Sequence, residues 1–224
     1  MATPIRTDEH IQQDVLEELR WDARVRPNEI GVTVRNGVVT LSGRVDTYVK
    51  KWAAKEAALR VRGVKAVADE VEIQLPTTAG RTDADIADAA VRALEWDALV
   101  PTEDLAISVS NGVLTLEGEV DFAYQRQDAE RVVRRLAGVR GVSNLLVARP
   151  AQSPPSSTEL KREIEDALVR RAEIDADRIT VDVIEGKAIL RGMVSSWGER
   201  QEAENIAWSE PGITQVDNQI TVGP

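Results

Sequence analysis

The chain has 224 residues, 42% of them hydrophobic and 4% aromatic, with a formal net charge of −10 and no cysteine. The missing cysteines exclude disulfides, thiol catalysis and cysteine-held zinc or iron–sulfur sites, and the acidic balance is far from the basic footprint of a nucleic-acid binder. No apolar run reaches the roughly 20 residues a bilayer requires, and the start, MATPIRTDEHIQQD, shows no secretory pattern, so a cytoplasmic location is expected.

After an N-terminal extension over 1–7, Ile11, Val15 and Leu19 recur every fourth residue, which predicts an amphipathic first helix. Asp8 falls in its first turn, where a carboxylate suits the helix dipole. Trp21 closes the helix and is expected to pack over Val25. Then Ile30, Val32 and Val34 alternate, followed by Asn36-Gly37 and by Val39, Leu41 and Val45. Asn-Gly between two alternating runs predicts a hairpin, because both turn residues need positive φ. Thr40 and Ser42 should face water. Gly43, inside the second strand, calls for a close backbone approach or a bulge. Ala54, Ala57, Ala58 and Val61 mark a second helix, Gly63 stops it, and a third strand is expected from Val64 to complete a short antiparallel sheet.

The same order then recurs twice. NGVVTLSGRVD (36–46) and NGVLTLEGEVD (111–121) agree at eight of eleven positions, and EGKAILRGMVS (185–195) is a worn third copy. A shift of 75 residues maps Trp21, Gly37, Gly43 and Gly63 onto Trp96, Gly112, Gly118 and Gly138; a further 74 reaches Gly186, Gly192 and Gly212. Ile86, Ala90 and Leu94, then Leu160, Ile164 and Leu168, repeat the first-helix stripe. Ala129, Val132, Val133 and Leu136, then Ala203, Ile206 and Ala207, repeat the second. Trp96 is expected over Val100. Glu185-Gly186 is a weaker turn than Asn-Gly, so the third hairpin should be looser. The predicted fold is α+β: three tandem α-β-β-α-β units (8–75, 83–149 and 158–224), each a short sheet with two helices on one face. The units should be three beads joined by linkers at 76–82 and 150–157, the second held extended by Pro150, Pro154 and Pro155.

This pattern resembles the BON domain, named for bacterial osmotic-stress and nodulation proteins. The resemblance rests on the hairpin and in-strand glycines (Asn36, Gly37, Gly43; Asn111, Gly112, Gly118; Gly186, Gly192) and on a closing GVxxVxN segment. That segment reads GVKAVAD at 63–69, with Asp69 for Asn, GVRGVSN at 138–144 and GITQVDN at 212–218. It implies a non-enzymatic module that binds phospholipid surfaces or protein partners, often at the cell envelope.

The residues themselves offer little for catalysis. His10 is the only histidine, so no triad or histidine metal site can be assembled, and no phosphate-cradling glycine loop is present. The acidic pairs Glu17-Glu18, Asp83/Asp85 and Asp175/Asp177 read as solvated helix ends. No catalytic residue, cofactor or metal site is assigned.

Charge is more informative. Residues 1–75 carry 12 basic and 12 acidic side chains, 76–149 carry 8 and 12, and 150–224 carry 8 and 14. Around the second helix, unit one has Lys50, Lys51, Lys55, Arg60, Arg62 and Lys65, and unit two has Arg126, Arg131, Arg134 and Arg135. Unit three reverses the sign with Glu199, Glu202 and Glu204. The basic groups are candidate contacts for an anionic membrane surface or a protein partner, bound peripherally. Trp52, Trp197 and Trp208 have no tryptophan at their equivalents, which points to interfaces between units or with a partner. Trp197, Glu199, Glu202, Glu204 and Trp208 form a candidate acidic and aromatic interface, and the opposite signs make head-to-tail self-association the alternative.

Overall fold

A computed structural model describes residues 6–75, 80–149, 156–170 and 178–223. The expected linkers fall mostly outside these residues, as do Asp175 and Asp177.

Each unit opens with a helix: α1 (Asp8–Trp21), α3 (Asp83–Glu95) and α5 (Ser157–Arg170). Their predicted stripes are the residues buried in each helix. A hairpin follows: β1 (Ile30–Arg35) with β2 (Val38–Val45), β4 (Leu105–Ser110) with β5 (Val113–Val120), and β7 (Ile179–Ile184) with β8 (Lys187–Val194). The turn residues Asn36 and Gly37 have φ of 54° and 78°, the left-handed pair the sequence demanded. Burial alternates along β2, with Val39, Leu41 and Val45 inside and Ser42 outside.

The second helices are α2 (Tyr48–Arg60), α4 (Ala123–Val133) and α6 (Trp197–Ser209), and they lead to β3 (Ala66–Ile73), β6 (Gly141–Ala148) and β9 (Gln215–Val222). Here the sheet departs from expectation. β3 runs parallel to β2, and β6 and β9 do the same in their units. The intervening helix is the crossover that parallel neighbours need, so each three-stranded sheet is mixed. The third strand also starts two residues late. Lys65, Arg140 and Thr214 first donate their N–H to the turn carbonyls of Gly37, Gly112 and Gly186 at 2.8–2.9 Å. Val64, Val139 and Ile213 are spent on the core before the ladder begins.

Gly43 has φ of 128°, and a side chain there would run into the carbonyl oxygen of Glu29. The close-approach reading holds, and Gly118 and Gly192 meet Asp104 and Arg178 in the same way. The tryptophan reading does not. Trp21 and Trp96 are 86% and 89% exposed, and Val25 and Val100 are buried without them.

The first-turn aspartates do more than suit a dipole. Asp8 accepts the backbone N–H of Asn36 at 2.6 Å and of Gly37 at 2.9 Å. Asp83 accepts those of Asn111 and Gly112, both at 2.8 Å. One carboxylate thus ties each first helix to its hairpin. In unit three Ser157 stands at that place, and the turn carries Glu185 at φ 48°, a costlier residue than Asn for that conformation. Bonds to a charged group contribute about 1.5–3 kcal/mol each. We therefore expect Asp83→Ala to destabilise the protein by about 2–3 kcal/mol in chemical denaturation. Hydrogen exchange at Asn111 and Gly112 should rise to the rate of Glu185 and Gly186 in the unaltered chain.

Candidate interaction site where the units meet

Each unit keeps its own hydrophobic core, as three beads should. The beads are nevertheless packed together, and their second helices meet at the centre.

Trp197, the first residue of α6, is packed against the core of unit one. Its indole N–H donates to the Lys65 carbonyl at 2.5 Å, and Gly63 N–H donates to Ser195 O at 3.3 Å. Gly198 follows with no side chain where α6 passes the Arg60 backbone; a Cβ there would lie 3.2 Å from Arg60 Cα. Tyr48, the first residue of α2, stands at the equivalent position in unit one and is packed against the core of unit two. Burial, followed by the Glu130 carboxylate, pushes the pKa of its hydroxyl up, and the Val142 backbone opposes the shift. Trp208 packs against the cores of both units two and three. Unit one thus offers the start of its second helix to unit two, and unit three offers its own to unit one, while Trp208, near the end of α6, bridges units two and three.

A cleft of about 450 Å³ lies among the three second helices, lined by Trp52, Gln127 and Gln201 at one equivalent position and by Glu56, Arg131 and Asn205 at another. The Arg134 guanidinium stacks on Trp52 at 3.7 Å, and burial lowers its pKa. Burial also raises the pKa of Glu56, with Arg134 among the charges that oppose the shift. Gln127 Nε2 donates to Asn205 Oδ1 at 3.4 Å.

Most of the basic residues singled out in the sequence are engaged inside the chain. Lys50 pairs with Asp46 at 2.8 Å and Glu29 at 3.5 Å. Lys51 donates to the Val71 carbonyl at 2.7 Å, and Arg126, its counterpart, reaches Asn144 O at 3.4 Å and lies over Trp208 at 5.8 Å. Arg200 does the same in unit three, bonding the carbonyls of Asn218 and Ile220 at 2.7 and 3.0 Å. A base at this position clasps the third strand in every unit. Arg60 meets Glu18 at 3.3 Å, and Arg131 meets Asp128 at 2.5 Å. Lys55, Arg62, Lys65 and Arg135 are exposed, and no ion pair engages them among the described residues. Of the acidic set, Glu199 accepts the Ser195 N–H at 3.3 Å and Glu204 accepts from Asn218 Nδ2 at 3.0 Å; Glu202 is half-buried on the same helix.

The closing Asn of the repeated segment is now explained. The Asn144 amide donates to Arg126 O at 2.8 Å and Glu130 Oε2 at 3.2 Å while its oxygen takes the Leu146 N–H. Asn218 repeats this set. Asp69 in unit one pairs instead with Lys51 at 3.5 Å. Tyr48 and Gly198 were missed as interface residues. A glycine one residue into a predicted helix was the available signal.

Stretches 7–74, 82–150 and 156–224 each match the model of the BON domain. The chain belongs to the BON domain family. It is similar to Osmotically-inducible protein Y of Escherichia coli (strain K12), 29% identical over 125 residues that make up 54% of this chain and 62% of that protein, so the match spans less than two thirds of the relative. Among solved structures, the C-terminal domain of CdsD, a structural protein of the type III secretion system of Chlamydia trachomatis, aligns over 95% of this chain and 96% of that one. The identity is 15% and the TM-score 0.27, too low to carry the arrangement of the units across.

Two carboxyls in this BON protein, Glu56 and Glu210, have raised pKa values that make stability depend on pH. Glu210 follows α6 at the place of Val61 and Leu136; burial, and then a shared hydrogen bond with Glu163, push its pKa up to about 7. A raised carboxyl pKa favours the folded state while the group is protonated, so its contribution is full below its ordinary value of 4.5 and is lost as pH rises through about 7. The carboxyls held low, Asp22, Asp46, Asp85, Glu159 and Asp217, act only at more acidic pH. We expect the melting temperature to fall between pH 5 and pH 8, and Glu210→Gln to reduce that slope in calorimetry, with Glu56 carrying what remains.

Proposed function

We propose that this BON protein is a non-catalytic, stress-related binding module that associates peripherally with anionic phospholipid surfaces. The observation that carries this is the exposure of Trp21 and Trp96, at equivalent ends of α1 and α3. Trp21 lines one surface cleft with Arg62, beside Arg6 and Arg60, which are paired with Asp14 and Glu18, and beside Glu17. A solvated indole beside an unpaired guanidinium suits the lipid interface, where amphipathic rings sit at headgroup depth and each nearby basic group adds about 1 kcal/mol. The family and the osmotically inducible relative support the stress connection. No helix among the described residues is long and apolar enough to cross a membrane, in keeping with a peripheral role. A cytoplasmic home would set the module beside an anionic leaflet.

The contact this reading uses differs from the one first drawn from the sequence. Lys50, Lys51, Arg126 and Arg134 hold the fold together, which leaves Lys55, Arg62, Lys65 and Arg135 for the surface. An envelope protein with an acidic face would be read by the same groups. Self-association, the alternative, would need other surfaces, such as the open β1, β4 and β7 edges of the sheets, because α2 and α6 already face each other within one chain.

Liposome flotation tests the proposal. The unaltered protein should float with vesicles containing phosphatidylglycerol and stay behind with phosphatidylcholine alone. Arg62→Gln, Lys65→Gln and Arg135→Gln together should weaken binding about a hundredfold, from about 1 kcal/mol per group, and Trp21→Ala with Trp96→Ala should weaken it further. Lys51→Gln should lower the melting temperature instead. Flotation unchanged by all five surface substitutions would remove the membrane from this account.

A further inference from the structure

An aromatic first residue of the second helix is seated on the next unit at two of the three joints only; Trp208 bridges the third from the other end of α6. Tyr48 of unit one seats on unit two, and Trp197 of unit three seats on unit one. The residue at that position in unit two is Ala123, which is buried at the edge of unit two's own core and lines a cavity shared with unit three. The space its ring would have taken is open. A cavity of about 650 Å³ lies there, lined by Phe122, Ala123, Ala148, Trp208 and Ile213, and a neighbouring hollow extends it to Thr214.

The walls suit a flat ring. Phe122 and Tyr124 stack on each other with centroids 5.6 Å apart and planes 11° from parallel, and both remain about half exposed. The Trp208 ring faces the same space, backed by Arg126. The polar end is specified as well. Thr214 stands where Lys65 stands in unit one, and the Lys65 carbonyl is the group that takes the Trp197 N–H. Asp121, Arg149 and Glu210 line the cavity too, and Arg149 is held by Asp104, Glu119 and Asp121.

We infer that this joint is a binding site for a small planar aromatic molecule carrying one hydrogen-bond donor, of the indole or phenol class. The ring lies between Ala123 and Trp208 and the donor points to the Thr214 carbonyl. The ligand does for units two and three what Tyr48 and Trp197 do from within the chain at the other joints, so it both occupies the site and tightens that joint.

Free indole and phenol are the probes, titrated into the full-length protein and followed by backbone amide NMR, with cyclohexanol as a non-planar control of phenol's size. Saturable shifts should centre on the amides of Phe122, Ala148, Trp208 and Thr214. Half-saturation near ~1 mM is a modest affinity for nine non-hydrogen atoms. Ala123→Tyr should supply the missing ring, raise the melting temperature and abolish the shifts; should that variant not fold, Tyr124→Ala should weaken indole binding several-fold. Shifts that do not saturate, that are matched by cyclohexanol, that survive Ala123→Tyr, or that are unaffected by Tyr124→Ala would each overturn the assignment.

Discussion

The seating of one aromatic ring on the next unit's third strand is the constraint on which the arrangement depends. Trp197 and Tyr48 sit at the first position of their second helices, so burying each ring fixes where its helix begins relative to a neighbouring sheet. With two such rings in place the three helices face inward, and the charges on them are desolvated. That placement pushes the Glu56 pKa up and lowers that of Arg134, and it sets Arg134 over Trp52 and Arg126 over Trp208. Buried cations need partners, and here the aromatic faces provide them.

This changes the meaning of the charge reversal between α2 and α6. Opposite signs on two helices can join separate chains, yet here the two helices are neighbours within one. The surface left for partners is correspondingly smaller, and its most unusual members are not charged. Two tryptophans, Trp21 and Trp96, stand 86% and 89% exposed at equivalent places.

Much of the fold could be read from the sequence because each unit states its structure in local terms. The four-residue stripes, the Asn-Gly turns and the in-strand glycines are consequences of helix period, positive φ and backbone approach, and all three act within a few residues. The parallel return of β3 had a signal that the antiparallel expectation passed over: a helix between two neighbouring strands is the crossover that a parallel pair requires. The work of Asp8 and Asp83 was not legible: a carboxylate at a helix start looks the same whether it faces water or bonds a turn 28 residues away. The sites were the least legible part. Lys51 and Arg126 read as surface cations, but strand carbonyls that appear only in the folded chain take them up. Trp21 read as packed over Val25 because Trp96 repeats it in unit two, yet both rings stand in water. The single-copy tryptophans were the informative exception, since a residue used once cannot serve a core repeated three times.

The central claim is that three BON units form one interlocked body and do not hang as independent beads. Small-angle X-ray scattering of the full-length protein at low concentration tests it most directly. A compact chain of 224 residues should give a radius of gyration of about 17 Å by the size scaling of folded domains, with the profile of a rigid particle. A clearly larger radius, with the featureless rise at high angle of a flexible string, would contradict the account.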